Sequence, residues 1–106
     1  MIASGVARQV MDEDAIIIDL DGISYITTIS AAKHAIQNNA RAKLMRKYDG
    51  KLTSDGLLFP AQTKKTVYAH VGSRRYRMAS WQFEDVLKSP GCIAPALLCP
   101  PREVTV

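Results

Sequence analysis

The stretch from Ser30 to Leu52, SAAKHAIQNNARAKLMRKYDGKL, decides how this chain is built. Thr28 or Ser30 can cap a helix that opens with Ala31 and Ala32. Ala32, Ala35 and Ile36 fall on one helical stripe, and Leu44, Met45 and Tyr48 fall on another. Gln37-Asn38-Asn39 lies between the stripes, and asparagine favours turns over helix interiors. The segment therefore reads as one helix of about 18 residues or as two short helices joined at 37–39. Asp49-Gly50 stops the second segment.

Upstream, 15–20 (AIIIDL) and 23–29 (ISYITTI) are β-branched runs on either side of Asp21-Gly22. Asp-Gly in that setting signals a hairpin, because a type I′ turn needs positive φ at both central residues. Downstream, 66–71 (TVYAHV) and 74–79 (RRYRMA) flank Gly72-Ser73, a second two-residue turn suited to type II′. Ser80 can cap a last helix, on which Phe83, Val86 and Leu87 share a face, and Pro90-Gly91 ends it. Residues 2–11 read as a weak short helix. Residues 51–65 read as a loop broken by Gly56 and Pro60. Residues 92–106, with three prolines, read as an extended arm. No repeat or low-complexity block is visible.

The expectation is a small single α+β domain over 1–91 with an extended C-terminal arm over 92–106. Its order is N-terminal β-hairpin, helix or helix-turn-helix, second β-hairpin and short closing helix. A chain of 106 residues, 47% apolar and 23% charged, has room for one modest core. No apolar run approaches the roughly 18 residues of a membrane span, and no hydrophobic block follows the first charges. A cytoplasmic protein with no membrane role is expected. Cys92 and Cys99 fit no common zinc spacing, and His34 and His70 are isolated, so free thiols, structural histidines and no metal or cofactor are expected.

Charge is unevenly spread. Residues 41–77 hold ten of the fourteen Lys and Arg, against Asp49 and Asp55 alone, while five of the ten acidic residues lie within 12–21. A basic middle behind an acidic front suits a polyanion.

Four apolar residues followed by Asp19-x-Asp21-Gly22 resemble the opening of the haloacid-dehalogenase phosphatases. The hairpin explains the same residues, and Ile23 and a second strand follow where that family continues differently. No Gly-rich phosphate loop or nucleophile motif is present, and no enzymatic activity is expected.

A second resemblance covers about 45 residues. Tyr25-Ile26-Thr27, Ala31-Ala32, the turn at Gln37–Asn39, Ala40–Lys47 and Gly50-Lys51-Leu52 resemble the opening of the excisionase-type, MerR-like winged helix-turn-helix domains. After an insertion, Val71-Gly72, Arg74-Arg75-Tyr76 and the segment from Trp81 to Leu87 resemble that family's wing and closing helix. The resemblance implies a small DNA-binding protein, a winged-helix excisionase or transcription regulator of a mobile element, with double-stranded DNA as partner. Asn39, Arg41, Lys43, Arg46 and Lys47 would contact DNA from the second helix, and Arg74, Arg75 and Arg77 from the wing. Trp81 reads as a wedge between helix and hairpin. The alternative is an α+β protein-interaction module or oligomeric binding protein, with Trp81 and 92–99 as its apolar surface. A homo-oligomer is left open.

Overall fold

In the computed structural model, residues 4–10 and 14–99 are described. The elements run β1 (Gly5–Gln9), β2 (Ala15–Leu20), β3 (Ile23–Thr28), α1 (Ile29–Asn38), β4 (Ala42–Tyr48), β5 (Lys51–Pro60), β6 (Thr66–Val71), β7 (Arg74–Ala79), α2 (Ser80–Lys88) and β8 (Ile93–Leu98). All eight strands form one antiparallel meander in sequence order, closed into a barrel where β8 pairs with β1.

The two hairpins have the turn chemistry their sequences carry. Asp21 and Gly22 both hold positive φ, 50° and 84°, which matches a type I′ turn. At Gly72-Ser73 only Gly72 has positive φ, the pattern of type II′. Thr28 caps α1 by accepting the Ala31 amide at 3.0 Å, and Asn39, left-handed at φ 52°, ends it.

Beyond Asn39 the structure departs from the winged-helix expectation. Residues 42–48 are a strand, so the helix expected after the turn at 37–39 is not formed and the helix-turn-helix resemblance does not hold. Ala42 and Leu44 are buried while Lys43 is exposed, which is strand alternation. Asp49-Gly50, with positive φ at both residues, is a hairpin turn into β5 and not a helix stop. The architecture is a closed barrel with two short helices, not a helix-centred α+β domain. The presumed loop 51–65 contains β5, the longest strand at ten residues. The weak helix expected at 2–11 is β1 over its described part. The segment read as an arm from residue 92 supplies β8. Pro95 is accommodated because it lies where β8 pairs with β1 alone. Residues 100–106, the rest of that arm, lie outside the described residues, as do 1–3 and 11–13.

Inward positions fill the barrel with a mixture of large and small side chains. Ile16, Ile18, Leu20, Leu44, Leu58, Val67, Tyr76 and Met78 alternate with Ala7, Ala69, Ala94 and Ala96, all essentially buried. An eight-stranded barrel has just this side-chain-filled interior. Both helices join this core, α1 through Ala32 and Ala35, and α2 through Phe83, Val86 and Leu87. Gln9 ties β1 to α2 by donating to the Val86 carbonyl at 2.8 Å and to that of Leu87 at 3.2 Å.

The barrel consists of one βββαβ unit used twice. Ala15 and Thr66, Ile23 and Arg74, and Ile29 and Ser80, the starts of matching elements, are each 51 residues apart. Backbone bonds outside the ladders repeat at that spacing. Val10 donates to Ala15 at 2.9 Å as Ala61 does to Thr66 at 2.8 Å, and Ile29 to Asp14 as Ser80 to Lys65, both at 3.0 Å. Gly5 and Gly56 repeat as well. A Cβ on Gly5 would overlap the Asp19 carbonyl oxygen, and one on Gly56 would lie 2.7 Å from the carbonyl oxygen of His70, Asp19's counterpart.

The ladder is thin at two seams, one in each unit. β3 meets β4 only at Ile26↔Met45, and β7 meets β8 only at Tyr76↔Leu98 and Arg77↔Leu97. At each seam a helix interrupts the chain between the two strands.

Candidate nucleic-acid interface

Because side chains alternate along a strand, the residues opposite the core on β4 to β7 form rows across the barrel's outer face. One row is Phe59↔Tyr68↔Arg77, with Arg41 at its β4 edge. The adjacent row is Lys43↔Leu57↔His70↔Arg75. The face thus carries two aromatic rings, a histidine and four cations.

The rings and guanidinium groups are mutually arranged. Phe59 and Tyr68 lie 5.7 Å apart between centroids and are inclined at 44°. Arg41 sits over Phe59 at 5.6 Å and Arg75 over Tyr68 at 5.1 Å. Such stacking orients a guanidinium while leaving its N–H edge free for an anion. Beside the rings is an open hollow of about 620 Å³, bounded by Asn39, Ala40, the end of β5 at Pro60 and residues 61–63. Among the described residues no carboxylate is within ion-pair distance of Arg41, Lys43, Arg75 or Arg77.

The expected site residues separate on this geometry. Arg41, Lys43, Arg75 and Arg77 come together on one face, and Asn39 joins them at the margin of the hollow. Arg74 points elsewhere, lying 3.7 Å from Asp21 and 5.9 Å from the Tyr76 ring centroid. Arg46 lies 3.9 Å from Asp55. Lys47 is exposed on β4, further along the β4–β5 hairpin. Of the lysines and arginines assigned to a recognition helix, Lys43, Arg46 and Lys47 are therefore presented from β4, and Arg41 from the residue just before it.

Phe59 and Tyr68 were not expected as site residues. Phe59 lay in a presumed loop, and only the alternation of Val67, Ala69 and Val71 with Tyr68 and His70 hints that Tyr68 faces outward. Trp81 is no wedge, being 65% exposed at the start of α2. His34 is exposed and receives an Asn38 side-chain hydrogen bond at its backbone carbonyl, 3.1 Å. Cys92 and Cys99 are free thiols. Among the described residues no group of three or more His, Cys, Asp or Glu is placed to hold a metal ion. No helix there is long and apolar enough to cross a membrane.

The phosphatase-like aspartates have structural partners. Asp19 accepts from the Ser24 hydroxyl at 2.5 Å and lies 3.7 Å from Arg8, while Asp21 accepts from Tyr76.

Comparison with known proteins adds no relative to this geometry: no family model, curated protein or solved structure matches the chain.

Proposed function

We propose that the β4–β7 face binds single-stranded nucleic acid. The observation that carries this reading is the Phe59–Tyr68 ring pair with Arg41 and Arg75 stacked on it and, among the described residues, no carboxylate within ion-pair distance of either guanidinium. Aromatic rings on a sheet give unpaired bases a stacking platform, and unopposed cations beside them take the phosphates. A duplex hides its base faces, so it can use the cations but not the rings. The duplex expectation also relied on a recognition helix that is a strand here.

The test is fluorescence anisotropy with single-stranded and duplex oligonucleotides of one sequence across a salt series. Single strands should bind more tightly. With three or four phosphates engaged, log K should fall against log[salt] with a slope of about −2 to −3, at roughly 0.7 per contact. Duplex preference, or no binding at low salt, overturns the reading.

A further inference from the structure

Beside the lone Ile26↔Met45 bridge, β3 and β4 part around the first turn of α1. They leave a groove of about 430 Å³, within the size range of small-ligand sites. Its walls are apolar, from Ile26, Ala31, Met45 and Leu52, with Thr28 and His34 as polar members. Leu52, at its lip, is 58% exposed, a large apolar side chain left in water. The second unit is built differently at this place, having Gln82 at the position of Ala31 and Asp85 at that of His34. The small Ala31 side chain belongs to the first unit alone.

The groove adjoins the aromatic face. Arg41 and Lys43 line it, and Arg41 also lines the hollow beside Phe59 and Tyr68. Neighbouring strands are about 4.8 Å apart, so the groove, between β4 and β3, begins about one strand spacing beyond Phe59. A chain laid across Arg75, Tyr68, Phe59 and Arg41 reaches it next. Among the described residues no acidic one lines it. A nucleobase has apolar faces and a polar edge, which suits aliphatic walls with a hydroxyl and an imidazole among them.

We propose that this groove receives one nucleobase of the strand held on the β4–β7 face, with Arg41 and Lys43 holding the phosphate between. The inference rests on the nucleic-acid reading of that face and extends its site from two stacked bases to a third, inserted one.

The experiment titrates intact protein with oligodeoxyadenylates of two to eight nucleotides and follows the methionine methyl resonances. Oligomers of about four nucleotides or more should move the Met45 methyl upfield through the adenine ring current. The dinucleotide should not, and Met78, buried inside the barrel, should stay in place with both. Ala31→Phe fills the groove; it should leave dinucleotide affinity unchanged and weaken the longer oligomers about tenfold. Leu52→Asp, at the exposed lip and away from the helix, should give a loss in the same direction, greater for long oligomers than for the dinucleotide. Tight binding of long oligomers with Met45 unmoved and both variants at wild-type affinity overturns the groove alone. Absence of binding by any oligomer at low salt overturns the face as well.

Discussion

The Tyr76 hydroxyl, buried in β7, donates to the carboxylate of Asp21 in the β2–β3 turn, 55 residues earlier in the chain. Arg74 approaches the same carboxylate oxygen at 3.7 Å. One hydrogen bond thus ties the tip of the first hairpin to the second unit, and the same turn aspartate pairs with an arginine that strand alternation keeps off the basic face.

Burial, and then the hydrogen bond to Asp21, push the Tyr76 hydroxyl up to a pKa of about 12 from an ordinary 10.0. The unfolded chain gives up this proton near pH 10 and the folded chain near 12. Stability from this group is therefore complete below pH 10 and is lost as pH rises towards 12, at up to about 1.4 kcal/mol per pH unit. Chemical denaturation at several alkaline pH values should show Tyr76→Phe losing stability less steeply than wild type. Equal slopes would remove the assignment.

Glycine substitutions should rank by space as well as by φ. Gly5→Ala meets a backbone carbonyl that cannot move aside, so its cost should reach about 3 kcal/mol or more. Gly56→Ala, 2.5 Å from a Val71 methyl and 2.7 Å from a carbonyl oxygen, should cost about 1–3 kcal/mol. Gly22→Ala has open space but a φ of +84°, and should cost about 1 kcal/mol. Urea midpoints of the three variants test the order.

Two adjacent arginines should behave differently. Arg74→Ala removes a guanidinium already paired with Asp21, and should leave oligonucleotide affinity and its salt dependence as in wild type. Arg75→Ala should lower the salt slope by about 0.7, and Arg41→Ala by a similar amount. Equal effects at 74 and 75 would mean that charge alone, and not the face, governs binding.

Tyr68→Ala should weaken single-strand binding by about 10- to 100-fold, the loss of one stacked base, with the salt slope unchanged. The half-buried ring lies on the outer face, so the melting temperature should move much less than on truncation of a core ring such as Phe83. Anisotropy and thermal melts on the same samples separate the two effects.

The hairpins were legible because each rests on two residues. Asp21-Gly22 and Gly72-Ser73 specify their turns locally, whatever surrounds them. The end of α1 at Asn39 was legible as one of two readings, since an unbroken helix of about 18 residues fitted the same stripes. β4 was not: Leu44 faces the core while its neighbour Met45 lines the outer groove, so both faces of the strand carry an apolar residue. With Tyr48 these two apolar neighbours imitate a helical stripe in the sequence, and the β4–β5 bulge, whose extra residue is Asp55, lies on β5. β5 was hidden because Lys51 to Asp55 are all exposed and carry no apolar alternation. The repeat was hidden because only Gly5 with Gly56 and Tyr25 with Tyr76 are identical at the 51-residue spacing. The platform itself depends on register across four strands, so no local pattern announces Phe59 beside Tyr68.

The two thin seams do not fall between the two units. They cut off β4 to β7 on one side, and β8 with β1 to β3 on the other. Each unit therefore hands its final strand, β4 or β8, to the sheet built by its twin, as two hands clasp with one finger exchanged. Neither half owns a complete sheet, and closure waits for residues as distant as Gly5 and Ala96 to pair, a long-range step that slows folding. The proposed binding face inherits this exchange. Arg41 and Lys43 arrive from the first unit and Phe59, Tyr68, Arg75 and Arg77 from the second, so the face comes into being only when the two copies interlock.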